Sequence, residues 1–196
     1  MTSEEKIVHF LKQRVNVSDQ EADAFAQVFQ EKRLRRKQLL VQPGFVARHR
    51  YYVVDGVLRS FIVDDLGQET TIALAVRDWW ITDYNSFIYQ QPATLFVEAL
   101  NSACVLQLSY EEEQKLKAAN SRYETFFRII AERGLAAQQR RIISGLTQSA
   151  EERYEQFVEN YPQFLQEIPQ YILASFLGMS TEFLSRIRNN RVARKR

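Results

Sequence analysis

The chain has 196 residues, of which 45% are apolar and 26% charged, a composition that provides a core and excludes disorder over most of its length. The single cysteine, Cys104, excludes an intramolecular disulfide and a cysteine-based zinc or iron–sulfur site. Because no apolar run is long enough to span a membrane and the acidic N-terminus is unlike a signal peptide, we expect a cytoplasmic protein.

The net charge of +2 is unevenly distributed along the chain. No acidic residue follows Glu182, whereas six cationic residues do, so residues 1–182 hold 20 cationic and 24 acidic groups, a net charge of −4. A cationic tip on a mildly acidic body is typical of proteins that bind polyanions. A solvated chain end would have the same composition.

Helices are predicted at both ends of the chain. A Ser followed three residues later by Glu lets the two side chains satisfy free backbone N–H groups at a helix start. This spacing occurs at Ser18, Ser109 and Ser149. The helices predicted from these signals and from apolar periodicity span about 4–14, 19–30, 110–147 and 150–160.

The middle of the chain consists of short apolar runs rich in β-branched and aromatic residues, separated by turn residues. The predicted strands are 51–54, 57–63, 70–76, 95–100 and 105–108. The dipeptide Asp55-Gly56 between the first two strands predicts a hairpin. Because no helix-length pattern interrupts the strands, the sequence favours an antiparallel sandwich or barrel over a parallel sheet.

The predicted helix over 110–147 is too long to lie on one small domain, and it carries two apolar stripes. One stripe contains Tyr123, Phe127, Ile130, Gly134, Ala137 and Arg141, and the opposite one contains Leu135, Ile142 and Leu146. One stripe is expected to pack on the home domain and the other on a partner. We assign the first stripe to a symmetric dimer interface, because small side chains at Gly134 and Ala137 allow close approach. A helix between two domains of one chain would account for the same pattern.

Residues 168–188 have the pattern of two short helices joined by a tight turn. Pro169 suits a first helical turn, and Gly178 can adopt the left-handed conformation that ends a helix. Such a helix-turn-helix can place its second helix in the DNA major groove. The residues predicted to contact DNA are Ser180, Thr181, Glu182, Ser185, Arg186, Arg188 and Arg191. A structural helical hairpin is the alternative.

These motifs resemble the Crp–Fnr family of bacterial transcription regulators. Residues 171–188 resemble the family's DNA-binding helices, residues 39–109 its cyclic-nucleotide-binding β-roll, and residues 110–147 its dimerisation helix. The resemblance implies an α+β fold in three parts. These are an antiparallel β-roll or jelly roll with flanking helices (1–109), a long dimerisation helix (110–147), and a helix-turn-helix domain without an evident wing (148–196).

The function that this resemblance implies is that of a homodimeric, sequence-specific DNA-binding transcription regulator. It implies double-stranded DNA and RNA polymerase as partners, with no cofactor, metal, membrane attachment or enzymatic activity. The competing interpretation is a ligand-binding or scaffold protein whose helical C-terminal tip contacts another protein.

The resemblance also implies a nucleotide pocket, from which this chain departs. Family members that bind cyclic AMP hold its phosphate with a Gly-Glu pair after one strand and an Arg-Ser-Ala-type triplet before the next. The matching stretches here are 80–83 and 93–95, with Thr82 in place of the Glu and Ala93 in place of the Arg. Loss of a cation that pairs with a buried phosphate costs about 2–5 kcal/mol. We therefore predict that cyclic AMP is not the effector.

The candidate effector-pocket residues are Trp80, Thr82, Asp83, Ala93, Thr94 and Gln138. Five aromatic residues occur from Trp79 to Tyr89. They could form a pocket for an apolar or aromatic effector, or their side chains could fill the pocket themselves. The sequence slightly favours the filled pocket.

Other chemistry is weakly supported by the sequence. Only His9 and His49 are present, and no metal-ligand spacing occurs, which disfavours a metal-dependent enzyme built on a β-roll. Cys104 is expected to be a buried structural thiol. The basic run 32–37 is expected to form an exposed strand rather than to bind DNA.

Overall fold

The computed structural model describes residues 1–162 and 165–194, with side chains described as far as residue 190. The helices are α1 (Ser3–Lys12), α2 (Asp19–Gln27), α3 (Tyr84–Tyr89), α4 (Tyr110–Ala119), α5 (Ser121–Thr147), α6 (Ala150–Asn160), α7 (Gln170–Leu177) and α8 (Thr181–Arg194). The strands are β1 (Gln30–Leu34), β2 (Leu39–Val41), β3 (His49–Asp55), β4 (Leu58–Val63), β5 (Glu69–Ala75), β6 (Trp80–Ile81), β7 (Phe96–Ala99) and β8 (Ala103–Ser109).

Helix starts follow the predicted capping signals. Ser18 and Glu21 exchange two hydrogen bonds, of 2.7 and 3.2 Å, at the start of α2, and Ser149 forms the same reciprocal pair at the start of α6. At Ser109 the hydroxyl accepts from the backbone of the third helical residue, without the return bond. A further reciprocal pair at Thr2, which the sequence analysis missed, begins α1.

The single helix predicted over 110–147 is divided in two. Asn120 is extended, with φ −152° and ψ 122°, and its side chain accepts a hydrogen bond from the Arg122 N–H at 2.9 Å. An Asn in this position ends one helix and caps the next. Helix α4 thus remains beside the sheet, and α5 is the helix that leads to the C-terminal domain.

The strands form two four-stranded antiparallel sheets with the orders β1-β8-β3-β6 and β2-β7-β4-β5. Alternate side chains of both sheets meet in a common core that includes Val53, Leu58, Val97 and Val105, each fully buried. This is the antiparallel β-roll that the sequence predicts.

The predicted hairpin at Asp55-Gly56 is wrong. Strand β3 belongs to the first sheet and β4 to the second, so the turn carries the chain from one sheet to the other. Gly56 has a φ of +88°, and a Cβ at this position would lie 2.6 Å from the Cβ of Ala103. Glycine is required here both for its left-handed backbone and for its close approach to β8.

An aromatic cluster joins the N-terminal helices to the first half of α5. Phe25 of α2 packs edge-on against Phe126 at 5.3 Å, and Phe10 of α1 packs against the same ring at 6.0 Å. The Tyr123 hydroxyl donates to the Glu21 carbonyl oxygen at 2.6 Å. The first half of α5 is therefore part of the β-roll domain.

The C-terminal helices form a second core that is continuous with the edge of the roll. Leu173 of α7 and Leu184 of α8 are buried together with Leu74 of β5 and with Val76, which follows that strand. The Thr71 N–H of β5 donates to the Ser175 hydroxyl of α7 at 2.8 Å. Among the helices described, none is both long and apolar enough to cross a membrane.

Candidate nucleic-acid interface and effector pocket

The turn between α7 and α8 has the predicted local chemistry. Gly178 is left-handed, with φ +69°, and the Met179 N–H donates back to the Ala174 carbonyl at 3.0 Å. Ser180 caps the start of α8, because its hydroxyl accepts from the Phe183 N–H at 3.2 Å. Such an αL residue followed by a cap fixes the angle between the two helices.

Helix α8 has one buried face and one exposed face. Leu184 and Ile187 are buried against α7. The predicted DNA-contacting residues outside this face are the exposed Ser180, Glu182 and Arg186 and the partly exposed Thr181, Ser185 and Arg188. The predicted contact Arg191 has a side chain outside the described ones.

The two charged side chains Glu182 and Arg186 on the exposed face of α8 interact with neighbouring groups. The backbone N–H at the start of α8, then the Ser180 hydroxyl and the positive charge of Arg186, lower the pKa of Glu182 below its ordinary value of 4.5. Arg186 extends over the ring of Phe183, with 5.2 Å from its Cζ to the ring centroid. A carboxylate and a guanidinium so placed can accept from cytosine and donate to guanine.

Asn189 is a candidate that the sequence analysis did not name. It is exposed and lies seven residues after Glu182 and three after Arg186, on the same face of α8. Asn pairs with adenine in the major groove. The helical spacing from Glu182 could have identified it.

Four residues assigned to a dimer interface contact the chain's own domains. Tyr123 and Phe127 are 4% and 3% exposed in the aromatic cluster, and Ile130 packs against its edge. Arg141 donates to the Phe176 carbonyl of α7 at 3.1 Å and to the carbonyls of β5. The burial of Tyr123 and Phe127 in this core contradicts their assignment to the dimer interface. The assignment of Ile130, Gly134, Ala137 and Arg141 stays a prediction.

The opposite stripe of α5 is the exposed one. Leu135, Ile142 and Leu146 are 69%, 64% and 81% exposed, and Ile143 beside them is 51% exposed. Gly134 and Ala137 belong to the first stripe, and Gly134 is exposed with open space around it. The first stripe therefore packs in the core of its own domain at Tyr123, Phe127 and Ile130 but not at Gly134.

Among the predicted pocket residues, the Asp83 side chain forms the most hydrogen bonds. Its side chain is almost fully buried, at 2% exposure. One carboxylate oxygen accepts from the Ser86 N–H at 3.0 Å, and the other accepts from the Thr94 N–H at 2.9 Å and the Leu95 N–H at 3.3 Å. Residues 93–95 are the stretch that resembles the family's phosphate-binding triplet, so an internal carboxylate already occupies its backbone donors.

The other predicted pocket residues are also engaged within the fold. The Thr82 hydroxyl donates to the His49 carbonyl at 2.7 Å, and Ala93 is buried. Trp80 packs against Tyr52 with ring centroids 5.5 Å apart. Gln138 is exposed on α5, and no hydrogen bond within the described part of the chain joins it to the rest. The structure thus brings Asp83 and Thr94 together but does not bring Gln138 to them.

The aromatic residues near the pocket surround a cation of the protein itself. The Arg50 guanidinium lies 4.8 Å from the Phe87 ring centroid and 5.7 Å from that of Tyr84. Its Nε is 2.7 Å from the buried carboxylate of Glu113, which also pairs with Lys117 at 2.6 Å. Side chains of the protein itself therefore pack between α3, α4 and β3.

Two other arginines of the roll, Arg59 and Arg77, are likewise paired. Arg59, which is 3% exposed, bonds the Glu98 carboxylate at 2.7 Å, and Arg77 pairs with Asp55 at 2.9 Å. Neither is left to bind a phosphate in this conformation. In the residues described, no group of three His, Cys, Asp or Glu side chains is arranged to hold a metal ion.

A cleft of about 480 Å³ lies away from these residues, where the roll meets the C-terminal domain. Its lining includes Asp78, Trp79, Tyr161 and Glu167. The cleft could not be predicted from local sequence, because residues 55–79 form one side of it and residues 160–167 the other.

No family model matches the chain, and no curated protein matches it either. Similarity to solved structures is extensive at low sequence identity. FixK2 from Bradyrhizobium japonicum is 16% identical with a TM-score of 0.75, over 86% of each chain. The cyclic-di-GMP-responsive global regulator CLP of Xanthomonas campestris is 15% identical with a TM-score of 0.69, over 91% of this chain and 93% of that one.

A third similar structure is a putative Crp/Fnr-family transcriptional regulator from Eubacterium rectale, which is 13% identical with a TM-score of 0.69 over 91% of this chain and 85% of that one. All three similarities cover at least 86% of this chain. The protein therefore has the fold of the Crp/Fnr transcription regulators.

Proposed function

We propose that the protein is a homodimeric, sequence-specific DNA-binding transcription regulator that acts without cyclic AMP. The observation that carries the proposal is the exposed face of α8. Leu184 and Ile187 hold the helix on α7, which leaves Glu182, Ser185 and Arg186 on the face that points away from the domain. These residue types hydrogen-bond base edges in the major groove.

Dimerisation is supported by the unpartnered stripe of α5. Leu135, Ile142 and Leu146 recur along about three helical turns and are mostly exposed. Burial against the same stripe of a second copy would remove this apolar surface from water. Two α8 helices related by a two-fold axis would read half-sites about 34 Å apart. By analogy with the fold, we include RNA polymerase as a partner.

Independence from cyclic AMP is supported by the pocket chemistry. Asp83 uses the backbone donors of Thr94 and Leu95, so a nucleotide phosphate would have to displace a buried carboxylate and would meet its negative charge. Ala93 supplies no cation to compensate. Calorimetry with cyclic AMP and, because CLP responds to it, cyclic di-GMP tests this: micromolar binding of cyclic AMP would contradict the proposal.

Selection of bound duplexes from a random DNA library tests the central claim. We expect enrichment of a palindrome whose half-sites are one helical turn apart. On the selected site, Arg186→Ala should weaken binding by about 5- to 150-fold, the cost of one bidentate base contact. Lys115→Ala, which removes an exposed cation of α4 paired with Glu112, is the control and should bind normally.

The proposal fails if no sequence is enriched or if Arg186→Ala binds the selected site as tightly as the unmodified protein. In that case α8 would contact another macromolecule, as in the alternative of a scaffold protein with a helical tip.

A further inference from the structure

We propose that the cleft between the roll and the C-terminal domain binds a small organic cation, an amine with a flat apolar body. The cleft holds about 480 Å³, within the range of about 300–1,000 Å³ that small-molecule sites occupy. Residues 55–56 and 76–79 of the roll form one wall, and Asn160, Tyr161 and Glu167 form the other. A cleft at a domain interface is a common place for a ligand.

The walls of the cleft are acidic. The described residues that line it include the carboxylates of Asp55, Asp78 and Glu167 and the guanidinium of Arg77, which together carry a net charge of −2. Arg77 pairs with Asp55 at 2.9 Å, so its charge is already matched. Asp78 and Glu167 form no ion pair within the part of the chain that the structure describes. These two carboxylates are therefore the groups that a cationic ligand would meet.

Hydrogen bonds hold both of these carboxylates in place and leave each with an oxygen for a ligand. The Tyr52 hydroxyl donates to Oδ1 of Asp78, and the Asn101 amide donates to Oε2 of Glu167 at 2.7 Å. Among the described residues, none donates to the second oxygen of either carboxylate. Because both groups are already oriented, little freedom is lost when an ammonium donates to them.

Arg77 shows how the cleft acts on a positive charge. The hydrogen bond to Asp55 raises the pKa of Arg77 above its ordinary value, burial opposes this, and the charges of Asp55, Asp78 and Glu167 raise the pKa further. The same carboxylates stabilise the charged form of another cation placed between them. A nucleotide phosphate would be repelled, so the cleft selects the opposite charge from a cyclic-nucleotide site.

Two aromatic rings form the apolar part of the cleft. Trp79 of the roll and Tyr161 of the C-terminal domain meet nearly edge to face, with ring centroids 5.6 Å apart and an interplanar angle of 80°. Trp79 is 38% exposed, so Tyr161 does not cover the whole indole. Indole is the best side-chain partner for a cation, and a flat ligand body can stack on it. The aromatic wall therefore favours an aromatic amine over a strongly hydrated aliphatic one.

A bound cation would contact both domains at once. The domains already meet beside the cleft, through Trp79 and Tyr161 and through Asn101 and Glu167. A ligand that bonds both Asp78 and Glu167 adds a link across the same gap and stabilises the domain arrangement that gives the cleft this width. We infer that the ligand is an effector of DNA binding. This part of the inference rests on the proposed function, because it requires that α8 binds DNA.

Calorimetry on the full chain tests the site with probes of similar shape and different charge. Phenylethylamine is cationic, phenylethanol neutral and phenylpropionate anionic. We expect the amine to bind with a millimolar or lower Kd and at least about 10-fold more tightly than the alcohol, the effect of one charge-assisted hydrogen bond, and the acid not to bind. Putrescine, an aliphatic diamine, should bind more weakly than phenylethylamine, and Trp79→Leu should remove this difference.

The variant Asp78→Asn/Glu167→Gln removes the two charges and keeps the acceptors for Tyr52 and Asn101. Asn tolerates the left-handed backbone of residue 78, which has a φ of +69°. We expect the variant to keep its unfolding temperature and to bind phenylethylamine at least about 10-fold more weakly. The matched control Asp65→Asn/Glu111→Gln removes two exposed carboxylates of the same types outside the cleft and should bind the amine normally.

Fluorescence anisotropy on the selected DNA site measures the effector role. Saturating phenylethylamine should change the DNA affinity of the unmodified protein by at least about 5-fold, and that of Asp78→Asn/Glu167→Gln by less than about 2-fold. By linkage, saturating DNA should change the affinity for the amine by the same factor.

Four results would overturn the inference. The site is refuted if the amine does not bind, if the amine and the alcohol bind equally, or if the control weakens binding as much as the cleft variant. The effector role is refuted if the amine binds and DNA affinity is unchanged. Failure of the proposed function is distinct, because no duplex would then be enriched with or without the amine, while the calorimetry would be unaffected.

Discussion

Replacement of Asp83 by Ala tests whether its buried carboxylate holds the pocket segment together. The carboxylate is the shared acceptor for the N–H groups of Ser86, Thr94 and Leu95, which lie on both sides of the loop after α3. In the variant all three donors lose their acceptor at once. We expect a large loss of stability with little change in the exposed face of α8.

The magnitude follows from the exposure of each donor. Ser86 is fully buried, so its N–H stays without a partner, at a cost of about 1–3 kcal/mol. Thr94 is exposed and Leu95 partly exposed, so water replaces part of those bonds and each costs about 0.5–1 kcal/mol. The total is about 2–5 kcal/mol, and for a chain of this length it lowers the Tm by about 10 °C.

Urea and thermal unfolding of the full chain measure the effect. Asp64→Ala is the matched control, because Asp64 also accepts two backbone N–H bonds, from Leu66 and Gln68 at 2.9 and 2.8 Å, but in an exposed turn. We expect the control to cost less than about 1 kcal/mol. Equal losses for the two variants would refute the argument that burial decides the cost.

Three further variants test other parts of the fold. Gly56→Ala should cost about 2–4 kcal/mol in urea unfolding, because its φ is +88° and the added Cβ would lie 2.6 Å from that of Ala103; an unchanged midpoint would contradict this account. Burial lowers the pKa of His49 below its ordinary value of 6.5, so the stability linked to its neutral form is present above that value and lost as the pH falls through it. His49→Gln should therefore reduce the loss of stability between about pH 7 and pH 5, and an unaltered profile would count against it. Arg141→Met should speed hydrogen exchange at the Thr71 amide, because the guanidinium no longer joins β5 to α7, whereas unchanged exchange would show that the contact is dispensable.

Features set by neighbouring residues could be predicted from the sequence. The reciprocal caps at Ser18 and Ser149 involve side chains three residues apart, and the Gly178 turn depends on one backbone conformation. Each of these interactions is contained within a few residues, so its signal is complete in a short window of sequence. For this reason the starts of α2 and α6 and the turn between α7 and α8 can be predicted from the sequence.

Features that depend on distant partners could not be predicted in the same way. Asp55-Gly56 has the chemistry of a hairpin turn, but the strand that pairs with β4 on one side, β7, comes more than 30 residues later. On α5 the periodicity shows two stripes and does not rank them. Phe10 and Phe25, from the start of the chain, determine which stripe is buried.

The role of Asp83 was also hidden by distance. Its bond to Ser86 is a recognisable cap, whereas its bonds to Thr94 and Leu95 cross a loop of 11 and 12 residues. The sequence showed that the family's phosphate-binding Arg is replaced by Ala93. Nothing in the local sequence indicates that the Asp83 carboxylate accepts hydrogen bonds from the N–H groups of Thr94 and Leu95.

Strand β5 is the last strand of its sheet, and its outer backbone groups are used by the C-terminal domain. The Thr71 N–H bonds to Ser175, and the carbonyls of Thr71 and Ile72 accept from Arg141. An uncovered edge strand is a template on which another chain can add a strand, which is a common route to aggregation. The contact that holds the C-terminal helices beside the roll therefore also covers this edge, and variants that release these helices should aggregate at concentrations that the intact protein tolerates.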